Sequence, residues 1–192
     1  MDLLHQVPFE TSIVHGTSLE AVIKLLNYGC LPKTENNFFY FQAIFNDLNN
    51  FEKKPISFKE DNEVFSKNQF YAMNSAIKHY LINQLGYLPE WYHDAAILHD
   101  LGESVETNWT NFLKREKVSN SLVNEICAGI SQRRGILLIP QNNFLRKYTY
   151  EIIFPDNDIR VNMPLSLKIE DIAYIVPQGD FEMDVLKKMK FK

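Results

Sequence analysis

The sequence predicts an α+β fold: a mixed β-sheet core with a helical insertion at about 85–133. Three observations predict it. The first forty residues read as strand, helix, strand. The middle of the chain repeats apolar residues at helical spacing. From Gly135 onward the apolar runs are short and closed by Pro, Asn or Asp. With 192 residues, 45% of them hydrophobic and 23% charged, the chain has apolar mass for one core, so 1–192 is read as a single domain.

The elements follow in order. Ser12-Ile13-Val14 is a β-branched run that ends at His15-Gly16-Thr17-Ser18. Leu19, Val22, Ile23, Leu25 and Leu26 then recur at helical spacing. Thr17 or Ser18 is placed to cap that helix, Glu20 suits its dipole and Gly29 stops it. Phe38-Phe39-Tyr40-Phe41 is a second strand. Residues 46–66, rich in Asn, Lys and Glu around Pro55, read as a loop. Phe70, Met73, Ile77 and Leu81 share a helical face, 83–89 breaks the pattern, and further helices run over 90–101 and 119–130. Strands are expected at 136–139, 148–154, 159–161 and 172–176. The basic ending at 187–192 reads as a solvated tail.

A net charge of −4 supplies no overall basic field, which argues against non-specific binding of the whole molecule to a polyanion. The N-terminus lacks a basic region followed by an apolar run, and no 18-residue uncharged apolar window occurs, so a cytoplasmic protein with no membrane partner is expected. Cys30 and Cys127 lack the spacing of a redox pair or zinc site and read as small core hydrophobes. Seven glycines, no phosphate-binding Gly-rich loop, no Gly-x-Ser-x-Gly and no His-Glu-x-x-His argue against nucleotide binding by those routes. Arg133-Arg134 at a helix end serves the dipole and solvent, or faces a pyrophosphate or nucleic acid.

His15 stands where a short strand gives way to a helix, a place where a side chain can enter a cleft beside free backbone amides, and Gly16 would let a ligand approach the backbone. His15-Gly16-Thr17-Ser18, the helix ending at Gly29, Tyr40-Phe41, the helix with Tyr71-Ala72, Arg134-Gly135-Ile136-Leu137-Leu138-Ile139 and Asp158-Ile159-Arg160-Val161 occur in the order of the His-Tyr-Glu ADP-ribosyltransferases, and the chain resembles that family. The family includes bacterial toxins. The resemblance covers both ends of the chain and leaves about 85–133 unaccounted for. It implies NAD as substrate, with His15, Gly16 and Thr17 at the ribose and Tyr40 stacked on nicotinamide. It also implies transfer of ADP-ribose to an unknown protein or nucleic-acid acceptor, a glycosyltransferase reaction. An aromatic run of four residues at a strand is equally a core signature, so Tyr40 has that alternative.

Breaking the nicotinamide–ribose bond develops positive charge on the ribose, which a nearby carboxylate stabilises. Asp158-Ile159-Arg160-Val161 is similar to the family's Glu-Val-Arg-Val, so Asp158 stands where the catalytic glutamate is expected, one methylene short. Glu151 and Glu170 are the substitute carboxylates. The short acid motivates a further reading, a catalytically inactive module that binds a nucleotide or a partner.

A second constellation is His93-Asp94 and His99-Asp100. Ala95-Ala96-Ile97-Leu98-His99-Asp100-Leu101-Gly102 resembles the metal core of HD-domain phosphohydrolases, where consecutive His and Asp hold a divalent ion at a helix end. That resemblance makes His79, His99 and Asp100 alternative metal ligands. His79 lies only 20 residues before His99 and no downstream aspartate is on a helix, so helix-end structural roles are preferred for these residues.

Overall fold

The computed structural model describes residues 1–4, 13–32, 38–43, 62–100, 105–153, 158–162 and 166–189. The chain begins with β1 (Asp2–Leu3) and β2 (Ile13–Thr17), then α1 (Leu19–Tyr28), β3 (Cys30–Pro32) and β4 (Phe38–Ala43). Four helices follow: α2 (Asn62–Leu85), α3 (Tyr92–Asp100), α4 (Val105–Arg115) and α5 (Asn120–Ser131). The last third contains β5 (Ile136–Pro140), α6 (Phe144–Lys147), β6 (Thr149–Ile153), β7 (Asp158–Asn162), β8 (Ser166–Lys168), β9 (Ile172–Pro177) and α7 (Asp180–Lys188).

Seven strands form one mixed sheet in the order β1-β9-β5-β2-β4-β7-β6, and β3 pairs separately with β8. Among the described residues, only β1 and β9 run parallel. The chain is therefore α+β, as the sequence predicts. The sheet draws strands from both ends of the sequence, which is why its order is invisible to local periodicity.

Each face of the sheet has its own cover. Leu19, Val22 and Leu25 of α1, Phe144 of α6 and Leu186 of α7 are buried against Ile13, Phe39, Phe41, Ile159 and Val161 on one face. On the other, Ala72 of α2 is buried with Val14, Leu137, Ile139 and Val176. Here α2 lies so close that a Cβ on Gly16 would be 2.8 Å from the Ala72 nitrogen, and one on Gly135 would overlap the Ala72 carbonyl. Gly135 also has φ +77°, so glycine is required there by both backbone and packing.

Helix α1 is capped as the sequence predicts. The Ser18 hydroxyl accepts from the Ala21 amide at 3.2 Å, and Gly29 at φ 74° closes the helix by donating to the Leu25 carbonyl. Residues 85–133, assigned above to an insertion, contain α3, α4 and α5. With the second half of α2 these bury Ile77, Tyr80, Leu81, Tyr92, Trp109, Leu113, Ile126 and Ile130 in a separate core. Helix α2 serves both cores, Ala72 facing the sheet and Ile77 and Leu81 the helices.

Several expectations change. The helix expected over 70–81 extends from 62 to 85, so the break begins only after Leu85, at Gly86 with φ +82°. The end of the expected 46–66 loop belongs to this helix, while 44–61 lies outside the described residues. The basic ending is not a tail as far as it is described. It forms the amphipathic α7, whose Met183 and Leu186 are buried and whose Asp180, Glu182, Lys187 and Lys188 follow the helix dipole. Cys127 is buried in the helical core and Cys30 is half-buried, both as free thiols.

Candidate functional site

The site is created by a strand that changes partner. β2 pairs with β4 only through Ile13 and Val14, opposite Ala43 and Gln42. At His15 it passes to β5, pairing His15, Gly16 and Thr17 with Leu138, Leu137 and Ile136. β4 meanwhile continues along β7 through all five pairs from Gln42 to Phe38. The two strands thus diverge at His15 and leave a fork. Continued pairing would set Gly16 opposite Tyr40. Instead the imidazole of His15 reaches across, its Nδ1–H donating to the Tyr40 carbonyl at 2.6 Å.

That bond fixes the tautomer, leaving Nε2 as an acceptor. The ring is half-buried between Phe39 and Phe41, with centroid separations of 6.0 and 5.5 Å. Burial lowers the His15 pKa below its ordinary 6.5, a shift only partly opposed by the bond to Tyr40. His15 is accordingly a neutral hydrogen-bond acceptor at pH 7, suited to a hydroxyl rather than to an anion.

Tyr40 is on the neighbouring strand, yet its ring does not share a face with His15. Phe39 and Phe41 are buried in the core beneath His15, and strand alternation sends Tyr40 to the other side, where it is 39% exposed. The exposed ring is not part of the core, but the picture of one cleft lined by both rings is corrected. Only the Tyr40 carbonyl meets the imidazole. The space beside Gly16 is likewise filled by α2, so its small size is explained by helix packing rather than by ligand approach. Thr17 is 5% exposed, its side chain turned into the protein, and the adjacent Ser18 takes the capping role.

The three carboxylates separate clearly. Asp158 begins β7 in register with Gln42, and Gln42 with Val14, so its backbone lies in the row at which β2 and β4 part. Its side chain is outside the described set. Glu151 lies two rows along, in register with Arg160, which pairs with Tyr40 on its other side. Arg160 and Glu151 form an ion pair. Glu170 lies in the turn between β8 and β9, with its side chain 69% exposed and 3.5 Å from Lys168; β9 is separated from β4 by β5 and β2. Position and exposure both exclude it from the fork.

Sequence reasoning overlooked Arg160 and Asp171. In Asp158-Ile159-Arg160-Val161 the buried Ile159 and Val161 alternate with Arg160, a period-two signal that places the arginine on the Tyr40 side of the sheet. Asp171, next to the exposed Glu170, is 1% exposed and accepts from Lys147 Nζ at 3.0 Å and the Tyr148 hydroxyl at 2.9 Å. Burial and that bond push the Tyr148 pKa up to about 12. The Asp171 cluster ties the approach to β9 to the start of β6 and is far in the sheet order from the fork.

The alternative metal ligands are not assembled by what is described. His79 Nδ1–H donates to the Ser75 carbonyl of its own helix at 2.9 Å. His99 and Asp100 end α3, but their side chains lie outside the described residues. Among the described residues, no group of three His, Cys, Asp or Glu side chains could hold a metal ion. Arg133 is half-buried, its guanidinium 4.3 Å from the Tyr80 ring centre and 4.0 Å from that of Phe181, with Nη1 donating to the Gly129 carbonyl. Among the described residues, no helix is long and apolar enough to cross a membrane. No family model matches the chain, and no curated protein and no solved structure is significantly similar to it.

Proposed function

We propose that the chain binds NAD at the fork between β2 and β4 and transfers ADP-ribose from it, as its resemblance to the His-Tyr-Glu ADP-ribosyltransferases implies. The observation that supports this best is the fork itself. It opens at His15, and the row at its base carries Asp158, 143 positions further along the chain. β7, which carries Asp158, is separated from β2 by β4 alone.

In this reading the neutral His15 accepts a hydrogen bond from a ribose hydroxyl through Nε2, in the orientation set by the Tyr40 carbonyl. Phe39 and Phe41 hold the ring in place. Cleavage breaks the bond between the ribose anomeric carbon and the nicotinamide nitrogen. Nicotinamide leaves with the electron pair, the anomeric carbon becomes cationic, and the acceptor bonds to it while losing a proton. The carboxylate of Asp158 stabilises that cation. Glu151, engaged with Arg160 on the Tyr40 side of the sheet and so across it from the His15 ring, is the second choice.

The test separates binding from turnover. Asp158→Asn should abolish nicotinamide release while leaving NAD affinity within a few-fold, because the carboxylate acts on charge that develops only in the transition state. Release retained by Asp158→Asn and lost in Glu151→Gln would move the role to Glu151. Binding without release in the unaltered protein, restored by Asp158→Glu, would identify an inactive binding module.

A further inference from the structure

A second feature, independent of the NAD reading, lies at the far end of the helical layer. Between the end of α2 and the start of α3 the chain turns at Gly86 and forms a recess of about 640 Å³, lined among others by Tyr87, Pro89, Glu90, Trp91, Asp94 and Glu116. Three of these are carboxylates, and among the described residues no lysine, arginine or histidine lines the recess. Among the described residues no ion pair neutralises Glu90, Asp94 or Glu116.

The aromatic residues are arranged around the same acid. Glu116 accepts from the Tyr87 hydroxyl through one oxygen and from Trp91 Nε1 through the other, the latter at 2.6 Å. Both ring orientations are thereby set. Trp91 is further held by stacking on Phe112, with centroids 5.2 Å apart and planes 19° apart. Tyr87 remains 48% exposed although its hydroxyl is engaged, so its ring is offered to the recess without having to reorganise. Fixed electron-rich rings beside uncompensated carboxylates favour one ligand chemistry, an organic cation, which gains from the ring faces and the negative charge together. An arginine of the chain itself shows that chemistry nearby: the Arg115 guanidinium rests 4.8 Å from the Phe112 ring centre.

We infer that this recess receives the guanidinium or ammonium group of an Arg or Lys side chain presented by a partner polypeptide. An inorganic divalent ion would make no use of the fixed rings, and an uncharged group would make no use of the acids.

The chain contains only two tryptophans, so an indole N–H spectrum has two signals, and Trp91→Phe assigns them. The test titrates Nα-acetyl-arginine methylamide and its uncharged isostere Nα-acetyl-citrulline methylamide into the full chain while following the Trp91 signal. Saturable displacement by the arginine compound, none by the citrulline compound, and affinity about tenfold weaker in Glu90→Gln/Asp94→Asn support the inference; both substituted residues are exposed, and the loss corresponds to two surface charge interactions. Equal displacement by both compounds, no displacement, or unchanged affinity in the double variant would overturn it. So would Mg²⁺ or tetramethylammonium binding more tightly than the arginine compound, since those identify an inorganic-cation or quaternary-ammonium site.

Discussion

The sheet at the fork and the helical layer beside it draw on the chain in opposite ways. β2, β4 and β7, which make the fork, come from residues 13–17, 38–43 and 158–162, whereas the helical layer is one nearly continuous stretch from 62 to 131. In the sheet, candidate residues meet through register, and a shift by one residue would turn each to the other face. In the helices, the recess is built by neighbours: Tyr87, Glu90, Trp91 and Asp94 lie within eight positions, and only Glu116 comes from further away. The comparison teaches that the fork is a long-range construction, sensitive to anything that disturbs sheet pairing, while the recess depends on local helix-end geometry.

The strongest way to challenge the division is to damage the helical core. Trp109 is fully buried there, and Trp109→Ala should destabilise the protein by about 3–5 kcal/mol, measured by urea unfolding. Because α2 belongs to both cores, the sheet should unfold in the same transition. Two separated transitions would show that the layers are energetically independent. The seam between them comes next. Gly135→Ala combines a positive φ with overlap on the Ala72 carbonyl and should cost about 3 kcal/mol, adding a backbone penalty to overpacking.

A smaller effect sharpens the account of the fork. The His15 pKa is lower in the folded protein than in the unfolded chain, so between the two values the unfolded state binds more protons and stability rises with pH. Stability should be level above pH 6.5, fall as the pH drops below it by no more than about 1.4 kcal/mol per pH unit from this group, and level again below the folded value. His15→Gln should flatten that component, as checked by unfolding curves at several pH values. A fall that persists unchanged in His15→Gln belongs to other groups.

Much of the local structure was legible in the sequence. Ser18 and Gly29 bracket α1 because a hydroxyl acceptor and a left-handed residue are what helix ends require. The apolar runs at 136–139 and 172–176 announced β5 and β9 because both are buried. β3 and β8 were missed because three residues carry no readable period. α7 was missed because its lysines drew attention from Met183 and Leu186. At the site, His15 stands at a strand-to-helix junction, as the sequence predicts. That its ring faces Phe39 and Phe41 while Tyr40 faces away depends on the pairing of β2 with β4, which no local pattern specifies. Gly16 shows the same limit, since its neighbour Ala72 of α2 lies more than fifty positions away.

The central claim, NAD at the fork through His15, is tested most directly by calorimetric titration of NAD into the unaltered protein, His15→Ala and Tyr40→Ala. The account predicts measurable binding to the unaltered protein, at least tenfold weaker binding to His15→Ala through loss of one oriented hydrogen bond, and a smaller loss in Tyr40→Ala, which keeps the carbonyl that His15 uses. No heat at millimolar NAD, or the same affinity in His15→Ala as in the unaltered protein, would contradict it.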